Sequence, residues 1–282
     1  MRCIFCKEDS LNSKSIEHIL PESLGGNDIT LPKGIVCDSC NNYFSRKIER
    51  PLLESDEFKY LRFHHGIKSK KGKIPAVNVF YNYTKQFNLS YDAKDNKALI
   101  IEDLSIINEI INNKKGSFII PVIGKSADNK IVSRFLAKMA VEYLAKKMLE
   151  VENWNEVFIN NEGLEAIRKY VRSPKRVEEW EYTRRKVYDM NIPFLDGDEY
   201  YQVLNEMDIL VINQEKIDKD TFLLEMYFVV IICGIEYAIN LSGSDISGYK
   251  QYLRDNDYIS PLYIGKNNDS SIDEKSIIKS KI

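Results

Sequence analysis

The pattern of hydrophobic and polar positions changes about a quarter of the way along the chain. Residues 1–50 are rich in Cys, Gly, Asn and Ser and carry few long apolar faces, so this segment cannot build a conventional core. A helical stretch precedes Pro51, and Ser55-Asp56-Glu57 predicts the start of a second short helix, which Gly66 ends. A basic loop at residues 67–75 then separates this segment from the rest.

Beyond that loop, two periodicities alternate. Alternating apolar positions predict an antiparallel β-meander over residues 77–101, and apolar positions at a spacing near 3.6 predict a long helix over residues 128–150. The same reasoning predicts helices at 103–113 and 162–171, strands at 117–123 and 207–213, and a hairpin over 221–241 that turns at Gly234. We therefore expect an α+β protein, with an N-terminal module at 1–66, a linker loop at 67–75, a larger mixed α+β domain with antiparallel strands at 76–265, and a flexible tail at 266–282.

Charge and hydropathy narrow the class of protein. No apolar run approaches the roughly 18–20 residues that would span a bilayer, and the N-terminus lacks the pattern of a secretory signal, so we expect a cytoplasmic protein. The net charge is −2 but is unevenly spread: residues 1–75 hold 13 Lys and Arg against 10 Asp and Glu, whereas residues 196–282 hold 8 against 16. The positive charge therefore lies in the first two thirds of the chain, and if nucleic acid binds, we expect it to bind there.

Four of the five cysteines form two pairs with the same spacing, Cys3/Cys6 and Cys37/Cys40. Two such pairs can place four thiolates around one tetrahedral ion, an arrangement that zinc prefers, and a bound zinc would supply the folding free energy that a core-poor segment lacks. Four thiolates fill the coordination shell, so we expect a structural rather than a catalytic zinc. The alternative is two accidental pairs in a reduced chain. Cys233, within an apolar run, is expected to be a buried core thiol.

The motifs around these pairs carry a family resemblance. Ser15–Gly26 reads SIEHILPESLGG between the pairs, and Asn41–Glu49 reads NNYFSRKIE directly after the second. This order resembles the HNH endonucleases of the ββα-metal class, in particular the subgroup in which a Glu-His dipeptide is flanked by two zinc knuckles. The resemblance covers residues 3–50 and implies nothing about the other two hundred residues.

The resemblance implies a role for each motif residue. His18 would be the general base, and Glu17 and Asn41 would bind a catalytic divalent metal ion, Mg²⁺ or Mn²⁺. The residue types suit these tasks, since the ordinary pKa of histidine lies near neutrality and hard oxygen ligands suit those ions. Glu49 is an additional candidate ligand that could instead pair with a neighbouring arginine on the surface.

The sequence departs from the family pattern at one point. Many HNH proteins carry an asparagine shortly before the second knuckle, which braces the loop that holds the histidine. Residues 31–36 contain no asparagine, and Asn27 lies far upstream. The contact that orients His18 must therefore come from the backbone or from another residue.

Basic and aromatic residues suggest where nucleic acid would bind. Phosphate contacts are predicted for the basic residues near the loop, with a solvated surface as the alternative: Arg62, Lys68, Lys70, Lys71 and Lys73. His64 and His65 close the second helix, either as capping residues or as further metal or phosphate contacts. A second basic cluster at 168–186 interleaves with Tyr170, Trp180 and Tyr182, which suits either stacking on nucleic acid or a charged face over core aromatics.

The leading functional hypothesis is a metal-dependent HNH endonuclease that hydrolyses phosphodiester bonds in double-stranded DNA, with release of the 3′ oxygen. The C-terminal domain would select the substrate or regulate activity, through a protein partner or a homo-oligomer. Restriction, mobile elements and anti-phage defence all suit this hypothesis. The alternatives are a non-catalytic zinc-knuckle module that binds nucleic acid or protein, and a toxin-like effector that stays latent until a signal binds the C-terminal domain.

Overall fold

The computed structural model describes residues 1–26, 28–91, 99–121, 124–173, 180–188, 193–196, 199–216, 222–262 and 278–281. The helices are α1 Asp38–Phe44, α2 Arg50–Leu53, α3 Asp56–His64, α4 Leu104–Asn113, α5 Asn129–Met148, α6 Trp154–Asn160, α7 Glu165–Arg172 and α8 Ser247–Asp255. The strands are β1 Glu17–His18, β2 Thr30–Leu31, β3 Val77–Tyr81, β4 Lys85–Tyr91, β5 Leu99–Ile101, β6 Phe118–Ile119, β7 Tyr182–Lys186, β8 Pro193–Asp196, β9 Glu199–Lys216, β10 Phe222–Ile232, β11 Ile235–Asn240 and β12 Ile278–Lys281. A π turn, Ser45–Glu49, joins α1 to α2.

The mixture of helices and antiparallel sheets confirms the predicted α+β class. By backbone contacts the chain forms two compact units: one comprises residues 1–21, 26–49 and 129–282, and the other comprises residues 22–25 and 50–128. The domain boundaries predicted at 67–75 and 265 stay predictions. No helix of the described residues is both long and apolar enough to cross a membrane.

The first unit contains an antiparallel sheet in the order β12-β9-β10-β11-β7, with β8 on β9. In its central strand β10, the residues from Tyr227 to Ile232 are buried on both faces, which explains the unbroken apolar run Phe228–Cys233. Tyr227 on one face packs against Tyr249 of α8, with ring centroids 5.7 Å apart. Phe228 on the other face packs against Tyr143 of α5, also at 5.7 Å. The predicted hairpin turn is confirmed at Gly234, whose φ is +84°.

Helix α5 confirms the long helix predicted over residues 128–150. It is buried on nearly every side, between the sheet and the N-terminal segment. Five charged residues recur at intervals of four along it: Lys130, Arg134, Lys138, Glu142 and Lys146. Residues spaced by four lie on one side of a helix, so they form a polar stripe on a helix whose other buried positions are mostly apolar.

The second unit confirms the predicted β-meander. Strands β5, β4, β3 and β6 form an antiparallel sheet in that order, and Val79 pairs with Phe87 at its centre. The core of this unit is formed by side chains from α3, the sheet and α4: Tyr60, Phe63, Ile74, Val77, Val79, Tyr81, Phe87, Leu89 and Ile106. Helix α3 begins after Ser55, as predicted, and the chain turns at Gly66 with φ +62°.

Several elements were not anticipated from the sequence. Strand β7 lies inside the second basic cluster, and α6 and α8 were not assigned. The predicted strand at 117–123 is limited to β6 among the described residues. Of the predicted flexible tail, residues 266–277 and 282 lie outside the described residues, and β12 pairs with β9.

Candidate functional site

The four paired cysteines converge on one point. Their Sγ atoms all lie within 4.8 Å of one another, and this is the one such group of metal-binding side chains among the described residues. The backbone N–H of Cys37 donates to Cys3 Sγ at 3.4 Å, and that of Cys40 donates to Cys37 Sγ at 3.4 Å. Backbone donors directed at sulfur stabilise thiolates, the form in which cysteine binds metal. The cluster could therefore hold a tetrahedral zinc ion.

The electrostatics of the cluster also suit a cation. The pKa of Cys3 is lowered to about 5, chiefly by a hydrogen bond from Cys40, whereas burial raises the pKa of Cys6 to about 11. The pKa of Cys40 is raised as well, chiefly because it donates that bond. Four crowded sulfur atoms cannot all ionise unless a positive charge compensates them, and a bound metal ion would supply it.

His18 lies on a short antiparallel hairpin between the two cysteine pairs. Glu17 pairs with Leu31 and His18 with Thr30. The Nδ1 of His18 lies 3.1 Å from the carbonyl oxygen of Gly26. A carbonyl oxygen can only accept, so Nδ1 carries the proton and the lone pair of the neutral ring lies on Nε2. The backbone therefore supplies the bracing contact for which the sequence offers no asparagine; Asn27 lies outside the described residues.

The position of Gly26 explains why this bracing contact needs glycine. A Cβ atom at this position would lie 1.9 Å from the carbonyl oxygen of Leu20 and 2.6 Å from its carbonyl carbon. The backbone N–H of Gly26 donates to the carbonyl of Pro21 at 3.2 Å. Only a residue without a side chain can bring its carbonyl this close to the strand that holds His18.

The helix that follows the second pair carries Asn41 and Glu49. The side chain of Cys37 caps α1, so the second knuckle and the start of the helix are one structure. One α turn and one wider π turn together take about eight residues, which returns Glu49 to the side of the helix that carries Asn41. The side chain of Glu49 is 17% exposed and faces Lys138, not solvent.

A buried ion cluster joins the hairpin and this helix to α5. The Lys138 ammonium lies 2.6 Å from Glu17 Oε1, 2.9 Å from Glu49 Oε1 and 3.0 Å from Glu142 Oε2, and also donates to the carbonyl of His18 at 3.4 Å. Burial opposes the charge of Lys138, but the three carboxylates outweigh it and raise its pKa well above the ordinary value. Burial raises the pKa of Glu142 well above its ordinary value, and burial raises the pKa of Glu17 as well.

Two further residues of the polar stripe on α5 contact the N-terminal segment. Lys146 donates to the carbonyl of Thr30 at 3.4 Å, on the hairpin strand opposite His18. Arg134 donates to the hydroxyl of Tyr43 on α1 at 2.9 Å. The stripe therefore binds both elements that carry the predicted site residues. Sequence reasoning missed Lys138, although charged residues at intervals of four on an apolar helix were a signal that could have revealed it.

The predicted phosphate-binding residues belong to the second unit. Lys68, Lys70, Lys71 and Lys73 are exposed. Arg62 is buried at 7% exposure, and burial lowers the pKa of its guanidinium. The lysines thus present charge to solvent, whereas the burial of Arg62 does not favour a phosphate contact; all five roles stay predictions.

The two adjacent histidines of α3 have structural contacts. His64 Nε2 donates to the carbonyl oxygen of Pro121 at 2.8 Å, and the backbone N–H of His65 donates to the carbonyl oxygen of Leu61 at 3.2 Å. Burial, and then the charge of His64, lowers the pKa of His65 to about 4. These contacts favour the capping interpretation of the pair.

The second basic cluster has exposed and buried members among its described residues: Lys169, Arg172, Arg184 and Lys186 are exposed, whereas Arg168 is buried. Arg168 is 1% exposed and donates to backbone carbonyls at the end of α6, and Arg185 pairs with Glu236. Tyr170 and Trp180 are buried, and the indole N–H of Trp180 donates to a backbone carbonyl at 2.7 Å. These contacts favour a charged face over core aromatic residues rather than stacking of the aromatic residues on nucleic acid. Residues 174–179 lie outside the described residues. Cys233 is 1% exposed, as expected of a core thiol.

Comparison with known proteins identifies the N-terminal segment. Residues 3–57 match the family model described as HNH endonuclease. No curated protein and no solved structure matches the chain. The chain therefore carries an N-terminal HNH module with a four-cysteine cluster. HNH nucleases act on nucleic acid. The match does not extend to the residues after 57.

Proposed function

We propose that the HNH module is a metal-dependent endonuclease that hydrolyses phosphodiester bonds in double-stranded DNA, with His18 as the general base. The observation that carries this proposal is the hydrogen bond from His18 Nδ1 to the Gly26 carbonyl at 3.1 Å. In a neutral ring this bond leaves the lone pair on Nε2, and that nitrogen can accept a proton from water.

The chemistry at His18 is a single proton transfer coupled to attack on phosphorus. Nε2 takes one proton from a water molecule, and the water oxygen forms a bond to phosphorus in line with the 3′ oxygen. The bond from phosphorus to that 3′ oxygen breaks, and the products are a 5′-phosphate and a 3′-hydroxyl protonated from solvent. The Gly26 carbonyl stabilises the imidazolium that forms, because its oxygen keeps accepting from Nδ1.

The catalytic metal ion would be held by Glu17 and Asn41, with Glu49 as the additional candidate. When bound, Mg²⁺ or Mn²⁺ would neutralise negative charge on the leaving oxygen. The residues fit a cation, because three carboxylates share the one ammonium of Lys138. Zinc in the cysteine cluster would be structural.

The test is cleavage of supercoiled plasmid by the full chain in Mg²⁺ or Mn²⁺. His18→Ala should lower the rate by about 10²–10⁴-fold, the usual contribution of a general base. His64→Ala is the matched control, since His64 lies in the second unit and donates to the carbonyl of Pro121. Cleavage that survives in His18→Ala would exclude this site. A labelled RNA of the same sequence, which we expect to stay intact, tests the choice of DNA.

The non-catalytic module remains the second candidate, and the ion pair of Glu17 favours it. Glu17 is 5% exposed and its carboxylate contacts Lys138, an arrangement that also suits a purely structural residue. This candidate predicts duplex binding without cleavage in any divalent metal. We assign residues 76–265 to substrate selection or regulation on either proposal, and restriction and anti-phage defence remain suitable settings.

A further inference from the structure

Lys138 is a buried cation that belongs to neither motif of the HNH module. It lies on α5, its side chain is 0% exposed, and its ammonium contacts Glu17, Glu49 and Glu142. An ammonium offers three donors, and burial of a charge at this depth is costly unless those donors are satisfied. Here two of the three carboxylates come from the module and one comes from α5 itself.

The two module carboxylates arrive on separate elements. Glu17 lies on β1 and Glu49 at the end of the π turn. The Lys138 ammonium lies 2.6 Å from Oε1 of Glu17 and 2.9 Å from Oε1 of Glu49. The distance between these two oxygens therefore cannot exceed the sum of those two distances. Like charges this close repel, and each glutamate side chain has several rotamers; one shared ammonium removes both problems.

We propose that Lys138 is a positioning residue for a divalent-metal site. Its ammonium holds Oε1 of Glu17 and Oε1 of Glu49, and so directs Oε2 of each carboxylate toward one cation. The contact with the carbonyl of His18, at 3.4 Å, fixes the same strand from its backbone side. The inference rests on the proposed function, because that proposal makes Glu17 a metal ligand. It adds that the site is incomplete without a residue some ninety positions beyond the motif.

Groups that orient the ligands of a metal typically change metal affinity by about 10–100-fold when removed. A lysine that only pinned α5 to the module would change stability and leave the affinity of the folded protein for metal unaltered. The affinity for Mn²⁺ therefore separates the two roles without reference to cleavage.

The experiment measures Mn²⁺ binding to the zinc-loaded full chain by loss of the free Mn²⁺ signal in electron paramagnetic resonance. Lys138→Met should weaken binding by about 10–100-fold. Lys146→Met is the matched control: it is the same substitution two turns along the same helix, and Lys146 contacts the same hairpin through the Thr30 carbonyl. Its affinity for Mn²⁺ should stay within about threefold of wild type, well below the effect of removing an orienting group.

Lys138→Met leaves three carboxylates buried without a cation and can fail to fold. The double variant Lys138→Met/Glu142→Leu replaces the i,i+4 pair on α5 by apolar residues, an exchange that folded proteins often tolerate. Circular dichroism and zinc content verify its fold. It should show the same weakened affinity for Mn²⁺.

Three outcomes decide the inference. Mn²⁺ binding that weakens in Glu17→Gln and in the Lys138 variants, but not in Lys146→Met, supports it. Unaltered binding in the folded double variant, with weakened binding in Glu17→Gln, overturns the role of Lys138 and leaves the proposed function standing. A wild-type chain that binds no Mn²⁺ overturns the metal-dependent function and the inference with it.

Discussion

Gly26→Ala is the substitution that most directly tests how the fold holds His18. The new Cβ would lie 1.9 Å from the carbonyl oxygen of Leu20, whereas ordinary contacts between such atoms begin above 3 Å. The segment that carries Gly26 must therefore move by more than an ångström, because the atom it meets is backbone and not a flexible side chain. That movement displaces the carbonyl that accepts from His18 Nδ1.

The magnitude follows from two terms. Forcing an extra carbon into a filled space typically costs about 1–3 kcal/mol, and loss of one hydrogen bond costs about 1 kcal/mol more. We expect Gly26→Ala to lower the free energy of unfolding by roughly 2–4 kcal/mol. For a chain of this size the melting temperature should fall by roughly 3–7 °C. Cleavage should fall further than stability, since His18 loses the contact that fixes its tautomer.

Thermal unfolding by circular dichroism and plasmid cleavage measure the two effects. Gly243→Ala is the matched control, because a Cβ there meets nothing within 4 Å. We expect this control to be neutral or to gain about 0.4–1 kcal/mol, as alanine reduces the freedom of the unfolded chain. If Gly26→Ala has the same melting temperature as the control and cleaves plasmid at the wild-type rate, His18 does not depend on the Gly26 carbonyl. The tautomer assigned to His18 would then be wrong.

Three further predictions concern metal, pH and nucleic acid. Cys40→Ser should lower the zinc content below one ion per chain and abolish cleavage, as measured by metal analysis and the plasmid assay. Burial and then the charge of Asp208 raise the pKa of Glu206 to about 8, so the folded state loses stability as pH rises from the ordinary pKa of a glutamate toward 8. In denaturant unfolding, Glu206→Gln should be on the order of 2–4 kcal/mol more stable than wild type at pH 8 and equally stable at pH 4. Lys71→Ala/Lys73→Ala should weaken duplex binding and reduce the slope of log Kd against log salt by up to about 2.

Each of these predictions has a control of the same kind. Cys233→Ala removes a buried thiol outside the cluster, and its zinc content should stay at one ion per chain. Glu152→Gln makes the same substitution at an exposed carboxyl and is the control for the exchange itself. Lys114→Ala/Lys115→Ala removes the same charge from another exposed site and should leave the salt slope unchanged. If a control variant gives the same measured change as its test variant, the corresponding prediction is wrong.

The N-terminal module could be identified from the sequence because its determinants are local. The cysteine spacing determines where four sulfur atoms can converge, and the structure brings those atoms within 4.8 Å of one another. Periodicity likewise predicted the β-meander of the second unit, since alternating apolar positions need only a neighbouring strand to become a sheet. Strand β7 was missed because its residues are mostly basic and polar, and pairing with β11 decides its conformation.

Two features of the site depended on tertiary structure. The residue that braces His18 is a glycine, and a backbone carbonyl has no side-chain signature that a sequence could display. Whether Glu49 faces solvent or the interior depended on the π turn, which a regular helical count cannot anticipate. Both are properties of where the backbone goes, and not of which side chains it carries.

The sequence by itself determined that four cysteines, a Glu-His dipeptide and a following asparagine occur in the order of an HNH module, because those chemistries depend on residue type and short spacing. Only the tertiary structure placed Lys138 between Glu17 and Glu49. A helix periodicity states which residues share a face but not what that face meets. The sequence shows that the stripe on α5 is polar. Only the fold shows that this stripe contacts the N-terminal module, through Arg134 and Lys146.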